Sequence, residues 1–167
     1  MSKVCIITGG TSGIGLATAR AMHDAGYHVY ELSRRENGTD CAVHIQADVT
    51  KEDTLRAAVD FVLAQEDHID VVINNAGFGI SGAVEFTDTA DAIRQLDVNF
   101  FGMVRMNHVV LPILRKQGYG RIVNLSSVAG SIPIPFQTYY SASKAAINSY
   151  TMATANEVRP FGVQVCC

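Results

Sequence analysis

No stretch of this sequence is long and apolar enough to cross a bilayer, so a membrane-spanning protein is not expected. Positive charge is not in excess either. Thirteen Lys and Arg face 16 Asp and Glu, for a formal net charge of −3. Nucleic-acid binding, which calls for a basic face, is therefore not expected. The four cysteines include no CxxC pair and no metal-ligand spacing, and Cys166 and Cys167 are adjacent. No metal site is expected from them. With no secretion signal in MSKVCIITGG, they read as free thiols in a reducing compartment, and the cytoplasm is the expected location. Repeats, linkers and low-complexity tracts are also missing, so residues 1–167 read as a single domain with one core. What remains, 48% hydrophobic and 17% charged, is ordinary globular composition.

Against that background one stretch stands out, Val4–Gly15, reading VCIITGGTSGIG. Val4–Ile7 is the apolar run that a fully buried parallel strand needs. Thr8–Gly13 then turns with almost no bulky side chain, and Ile14, Ala17 and Ala21 follow at spacings that lie on one face of a helix. Strand, glycine-rich turn and helix in that order make a phosphate site. Glycines let backbone N–H groups approach a pyrophosphate, and the helix N-terminus presents about half a positive charge to it. Gly9, Thr11, Ser12, Gly13, Ile14 and Gly15 are the candidate contacts. The glycine spacing is not GxGxxG; TGGTSGIG instead resembles the TGxxxGIG signature of the short-chain dehydrogenase/reductase family.

Further along, Gly26 ends the first helix and a second strand is predicted over about His28–Ser33. An acidic residue about 20 positions past the glycine turn would bind the ribose hydroxyls of NAD. Ser33, Arg34 and Arg35 occupy that place here. A carboxylate there would repel the 2′-phosphate of NADP, whereas a guanidinium grips it through paired hydrogen bonds, so NADP(H) is expected over NAD(H). A third strand is predicted around Ala42–Ala47, and Thr50 with Asp53 reads as a capping box. The helix it opens should bury Leu55, Val59, Val62 and Leu63 and end near Glu66. The resemblance implies an adenine contact from Asp48 and a backbone contact from Val49.

Asp70–Asn74 is the predicted fourth strand, and Asn74–Gly77 reads NNAG, a second signature of the same family. Asn75, Ala76 and Gly77 would lie against the cofactor. Thr89–Gln117 is long and amphipathic and reads as one helix, with Asn99 near its middle and a bend expected where Pro112 meets the carbonyl of His108. The resemblance of Val98–Gly102 to the family pattern implies a local break at Asn99, whose main chain holds a water beside the catalytic lysine. Arg121–Leu125 is the fifth strand and delivers Ser126 and Ser127. Tyr140 and Lys144, at i and i+4, share one helix face; Tyr139 has Ser143 at that spacing. The pair matches the family's YxxxK, and Ser127 matches its catalytic serine by distance.

These residue types suit carbonyl–alcohol chemistry. Hydride added to a carbonyl carbon leaves an alkoxide that needs a proton, and a phenol can supply it. A nearby ammonium favours the phenolate for the reverse reaction. A serine hydroxyl can bond the carbonyl oxygen. Tyr140 is thus the expected acid/base, Ser127 the positioner, Lys144 the tuner and a ribose contact, and Asn99 the relay support. After the helix Tyr140–Arg159, GVQV begins a sixth strand. The family continues through a substrate-covering segment and a seventh strand, both expected to be absent from these residues.

The expected architecture is therefore a Rossmann-like, doubly wound parallel α/β sheet in the order 3-2-1-4-5-6. The expected function is NADP(H)-dependent interconversion of a ketone or aldehyde and an alcohol. The alternatives are a catalytically impaired NADP-binding domain and an interaction module. Expected partners are a small-molecule substrate and further copies of the chain, as a homodimer or homotetramer.

Overall fold

A computed structural model describes residues 2–167. Six strands are interleaved with helices, except that β3 follows β2 directly. The order is β1 (Lys3–Thr8), α1 (Gly13–Asp24), β2 (Tyr27–Ser33), β3 (Val43–Gln46), α2 (Glu52–Glu66) and β4 (Val71–Asn74). Then come α3 (Thr89–Leu96), α4 (Gly102–Gln117), β5 (Gly120–Asn124), α5 (Thr138–Val158) and β6 (Val163–Cys166). All strand pairs are parallel, in the order β3-β2-β1-β4-β5-β6, as the sequence predicts.

The alternation of β1 shows why its run is apolar without a break. Val4 and Ile6 face a core built with Leu55, Val59 and Val62 of α2 and Met106, Val110 and Leu114 of α4. Cys5 and Ile7 face the opposite layer, with Ala19 of α1, Val29 and Ile73. From Val4 to Ile7 each residue is buried on one face or the other, so neither face can be polar there. Because β2 and β3 lie on one side of β1 and β4 on the other, the connections diverge at the carboxyl ends of β1 and β4. That divergence opens a crevice where ligands of such sheets bind.

Ile14, Ala17 and Ala21 share one face of α1, as their spacing predicts, and that face is exposed; the buried face is made by Gly15 and Ala19 with Leu16 and Met22 beside them. Small residues let α1 approach the sheet closely, while Ile14 is turned toward the crevice. Two local expectations are corrected. The Thr50–Asp53 capping box does not form, because Thr50 gives both its N–H (2.9 Å) and its hydroxyl (2.8 Å) to Asp48 Oδ1. The N-cap of α2 is Lys51 instead, with Thr54 Oγ1 donating to its carbonyl at 2.8 Å. Thr89–Gln117 is not one helix: a π turn over Asp97–Phe101 separates α3 from α4, with Asn99 at its centre. The break therefore falls where the resemblance implied it.

Candidate active site

A cleft of about 1130 Å³ runs along the carboxyl ends of the central strands. Its floor is the glycine turn. Gly9 (φ +70°) and Gly13 (φ +55°) take left-handed backbone conformations that other residues rarely adopt. An ideal Cβ at Gly13 would meet nothing within 4 Å, so the backbone there is open to a ligand. The Ser12 N-cap makes no side-chain capping bond, and no acidic residue occupies the first turn of α1. The amide donors at this helix end are thus left available to an anion.

Of the predicted cofactor contacts, the cleft is lined by Gly9, Thr11, Ser12, Gly13, Ile14 and Gly15 from the turn and α1. Ser33, Arg34 and Arg35 join them from the end of β2, with Asp48 and Val49 after β3 and Asn75, Ala76 and Gly77 after β4. The Ser33 hydroxyl is buried and makes no hydrogen bond to the described residues. An unpartnered hydroxyl on a stretch of cleft that Arg34 and Arg35 also line fits a ribose or phosphate oxygen. Asp48 is pulled two ways. Burial, the largest influence, raises its carboxyl, but the Thr50 bonds and the charges of Arg34 and Lys51 together hold it below its ordinary value.

The two asparagines of NNAG do different work. Asn75 Nδ2 donates to the carbonyls of Thr8 (3.0 Å) and Gly9 (3.1 Å), tying β4 to the glycine turn. Thr8 Oγ1 returns the tie by accepting from the Asn75 and Ala76 amides, both at 3.1 Å. Asn74 is buried deeper. Its amide bonds Asn107 on α4 (2.8 Å) and Asn124 on β5 (2.9 Å), and Asn124 reaches Thr151 on α5 at 3.0 Å. This chain of side chains joins four elements beneath the cleft.

Ser127, Tyr140 and Lys144 also line the cleft, while Tyr139 does not. Ser127 Oγ accepts from the Ala129 amide at 3.1 Å, which leaves its O–H proton free to donate. Lys144 is only 5% exposed. Its ammonium donates to the Leu125 carbonyl at 2.7 Å and lies 5.6 Å from the centroid of the Tyr140 ring. Burial lowers the pKa of this lysine. Asn99 is not brought to the cleft wall. Its Oδ1 accepts from the Phe78 amide (2.9 Å), and its Nδ2 donates to the Phe78 carbonyl (2.8 Å) and Ser143 Oγ (3.2 Å). It therefore braces the Gly77–Phe78 wall from behind.

Sequence reasoning missed Leu32, Ala47, Phe78, Gly79, Val98, Leu125, Ser126 and Gln137, which also line the cleft. Leu32, Ala47 and Ser126 could have been found as the residues immediately before predicted contacts, with Leu125 one position further back. Phe78, Gly79 and Gln137 carry no local signal, and Val98 opens the Val98–Gly102 pattern without being marked there as a contact. The four cysteines are all free, and no helix among the described residues is long and apolar enough to cross a membrane.

The parallel sheet in this order, with its glycine turn and cleft, defines a doubly wound dinucleotide-binding fold. The sequence pattern of the short chain dehydrogenase family matches residues 3–167, and the chain belongs to that family. It is 41% identical over 98% of its length to 3-ketodihydrosphingosine reductase of Bacteroides thetaiotaomicron, and covers 61% of that protein. The chain thus spans about three fifths of the length of this relative. Among solved structures it is similar to ElxO with NADP bound (TM-score 0.94, 28% identity, covering 99% of this chain and 71% of that one). It is also similar to the 3-ketoacyl-(acyl-carrier-protein) reductase of Brucella melitensis complexed with NADH. There the TM-score is 0.93 at 30% identity, over 98% of this chain and 73% of that one.

Proposed function

We propose that residues 1–167 form a single domain that binds a nicotinamide dinucleotide along the cleft and prefers NADP(H) over NAD(H). Its reaction is the interconversion of a carbonyl and an alcohol on a small-molecule substrate. The observation that carries the cofactor preference is the end of β2. Arg34 and Arg35 stand on the cleft wall beside the orphaned Ser33 hydroxyl, in the place where an NAD-binding fold puts a carboxylate. A relative named as a keto reductase and a neighbour solved with NADP support the same reading.

When bound, the nicotinamide ring would supply or accept hydride. The chain's own side chains would manage the oxygen and its proton. Tyr140 gives its phenolic proton to the developing alkoxide and takes it back in the oxidative direction. Ser127, with its proton available, donates a hydrogen bond to the substrate oxygen. Lys144 has one ammonium donor on Leu125 and others left for a ribose hydroxyl, and its charge favours the phenolate. Asn99 supports the relay from its place in the π turn Asp97–Phe101.

Calorimetric titration with NADPH and NADH tests the reading. NADPH is expected to bind at least about tenfold more tightly, since hydrogen bonds to charged groups contribute about 1.5–3 kcal/mol. Arg34→Ala should remove most of that difference. Equal affinities in the unaltered protein overturn the preference.

A further inference from the structure

Behind the two arginines, β3 makes contacts that the site as described does not use. Glu31 of β2 and His44 of β3 are direct cross-strand partners. Glu31 is fully buried, with Oε2 2.6 Å from His44 Nδ1 and Oε1 unpartnered among the described residues. A Cβ at Gly10 would sit 2.5 Å from Glu31 Cγ, so this side chain fills the space beneath the glycine turn. The second ring nitrogen of His44 donates to the carbonyl of Arg35 at 2.9 Å. Two residues along the same strand face, Gln46 Nε2 donates to the carbonyl of Arg34 at 3.2 Å. Two consecutive carbonyls, those of the two arginines, are thus anchored from one strand.

We propose that His44 and Gln46 are positioning residues for recognition of the cofactor 2′-phosphate, holding the main chain of Arg34 and Arg35 so that their guanidinium groups face the cleft. This rests on the NADP(H) preference proposed above. The arginines lie beyond the last residue of β2, where no sheet ladder fixes the chain. A guanidinium makes paired bonds to a phosphate only within a narrow range of orientations, so aim matters as well as charge. Anchoring the carbonyls removes backbone freedom before the ligand arrives.

The hydrogen-bond inventory sharpens the test. A carboxylate and a carbonyl can only accept, so both ring nitrogens of His44 must donate when both bonds are made with Glu31 ionised. A Gln at position 31 could donate to Nδ1 and leave Nε2–H for the Arg35 carbonyl. Glu31→Gln should therefore preserve the anchor, whereas His44→Leu removes it.

The probes are 2′,5′-ADP and 5′-AMP, which differ by the 2′-phosphate, titrated calorimetrically into each variant of the whole chain. In His44→Leu, 2′,5′-ADP affinity should fall about tenfold while 5′-AMP affinity stays within about twofold. Gln46→Leu, at an exposed position, should give a smaller loss of about threefold and keeps the proposal testable if His44→Leu does not fold. Glu31→Gln should retain the wild-type ratio. Equal losses for both ligands would mark a merely structural role and overturn the proposal. If both Leu variants keep the wild-type ratio while Arg34→Ala abolishes it, the positioning role falls and the NADP(H) reading stands. If the unaltered protein itself binds both ligands equally, both fall together.

Discussion

Tyr139 and Tyr140 differ by one step of helix, and only Tyr140 lines the cleft. Tyr140→Phe removes a hydroxyl and leaves the ring, so turnover should drop by at least about a hundredfold while cofactor affinity stays within a few-fold. Tyr139→Phe should retain activity, and steady-state kinetics on both variants decides between them. A second residue-scale prediction concerns Glu66, which accepts the Tyr30 hydroxyl at 2.6 Å and also bonds His28. The Tyr30 bond is the main reason its carboxyl lies below its ordinary value, with burial opposing and His28 assisting. Burial, aided by Glu66, pushes the Tyr30 phenol up to about 12. A depressed carboxylate contributes stability above the ordinary carboxylate range and loses it as pH falls through its lowered value. Glu66→Gln should therefore cost about 1 kcal/mol, or roughly 3 °C in Tm, near neutral pH. The gap should close in thermal melts as pH falls below the ordinary carboxylate range and through the lowered value of Glu66. A pH-independent gap would rule out the charge as its origin.

At the scale of elements, α2 ends with a mismatch. Its cap, Asp67, has φ +62°, a left-handed conformation that favours glycine, and places a negative charge at a helix C-terminus with no basic residue in the last turn. The side chain is exposed. Asp67→Gly should stabilise the chain by about 0.5–1 kcal/mol, visible as a higher midpoint in urea with an unchanged slope. The π turn between α3 and α4 is a counter-example, a local defect that the tertiary structure uses. It coincides with the place where the Asn99 side chain bonds both main-chain groups of Phe78. Pro112 does not end α4, which continues to Gln117.

For the molecule as a whole, α5 presents an exposed face of small residues, Ala142, Ala145, Ser149 and Ala153, together with Met152 at 64% exposure. Such a face lets a second helix come close. We propose that it pairs with another copy of the chain, giving the homodimer or homotetramer that the resemblance implies. Sedimentation at micromolar concentration with NADPH present should then show a species larger than a monomer. Ala145→Arg, which places a long charged side chain on that face, should shift it toward monomer without lowering Tm. A monomeric unaltered protein would refute the pairing.

The fold and most of the cleft were legible because their signals are local in the chain. A strand buried on both faces must be an apolar run, a phosphate turn must be glycine-rich, and Tyr140 and Lys144 share a face because helices repeat every 3.6 residues. Strand order followed from the family resemblance of those motifs. What the sequence left open depends on contacts between distant segments. Whether α1 buries Ile14 or Gly15 turns on how closely the helix approaches the sheet, and only packing decides that. Thr50 could cap a helix or bond Asp48, and the turn at the end of β3 favoured the nearer acceptor. Glu31, His44 and Gln46 carry no motif at all. They become a clamp only because parallel pairing of β2 with β3 sets Glu31 beside His44, and because the chain beyond β2 folds back over that edge. Local periodicity and backbone geometry are written residue by residue. Register between strands and the distance between layers are properties of the assembled chain, and the tertiary structure alone decided them.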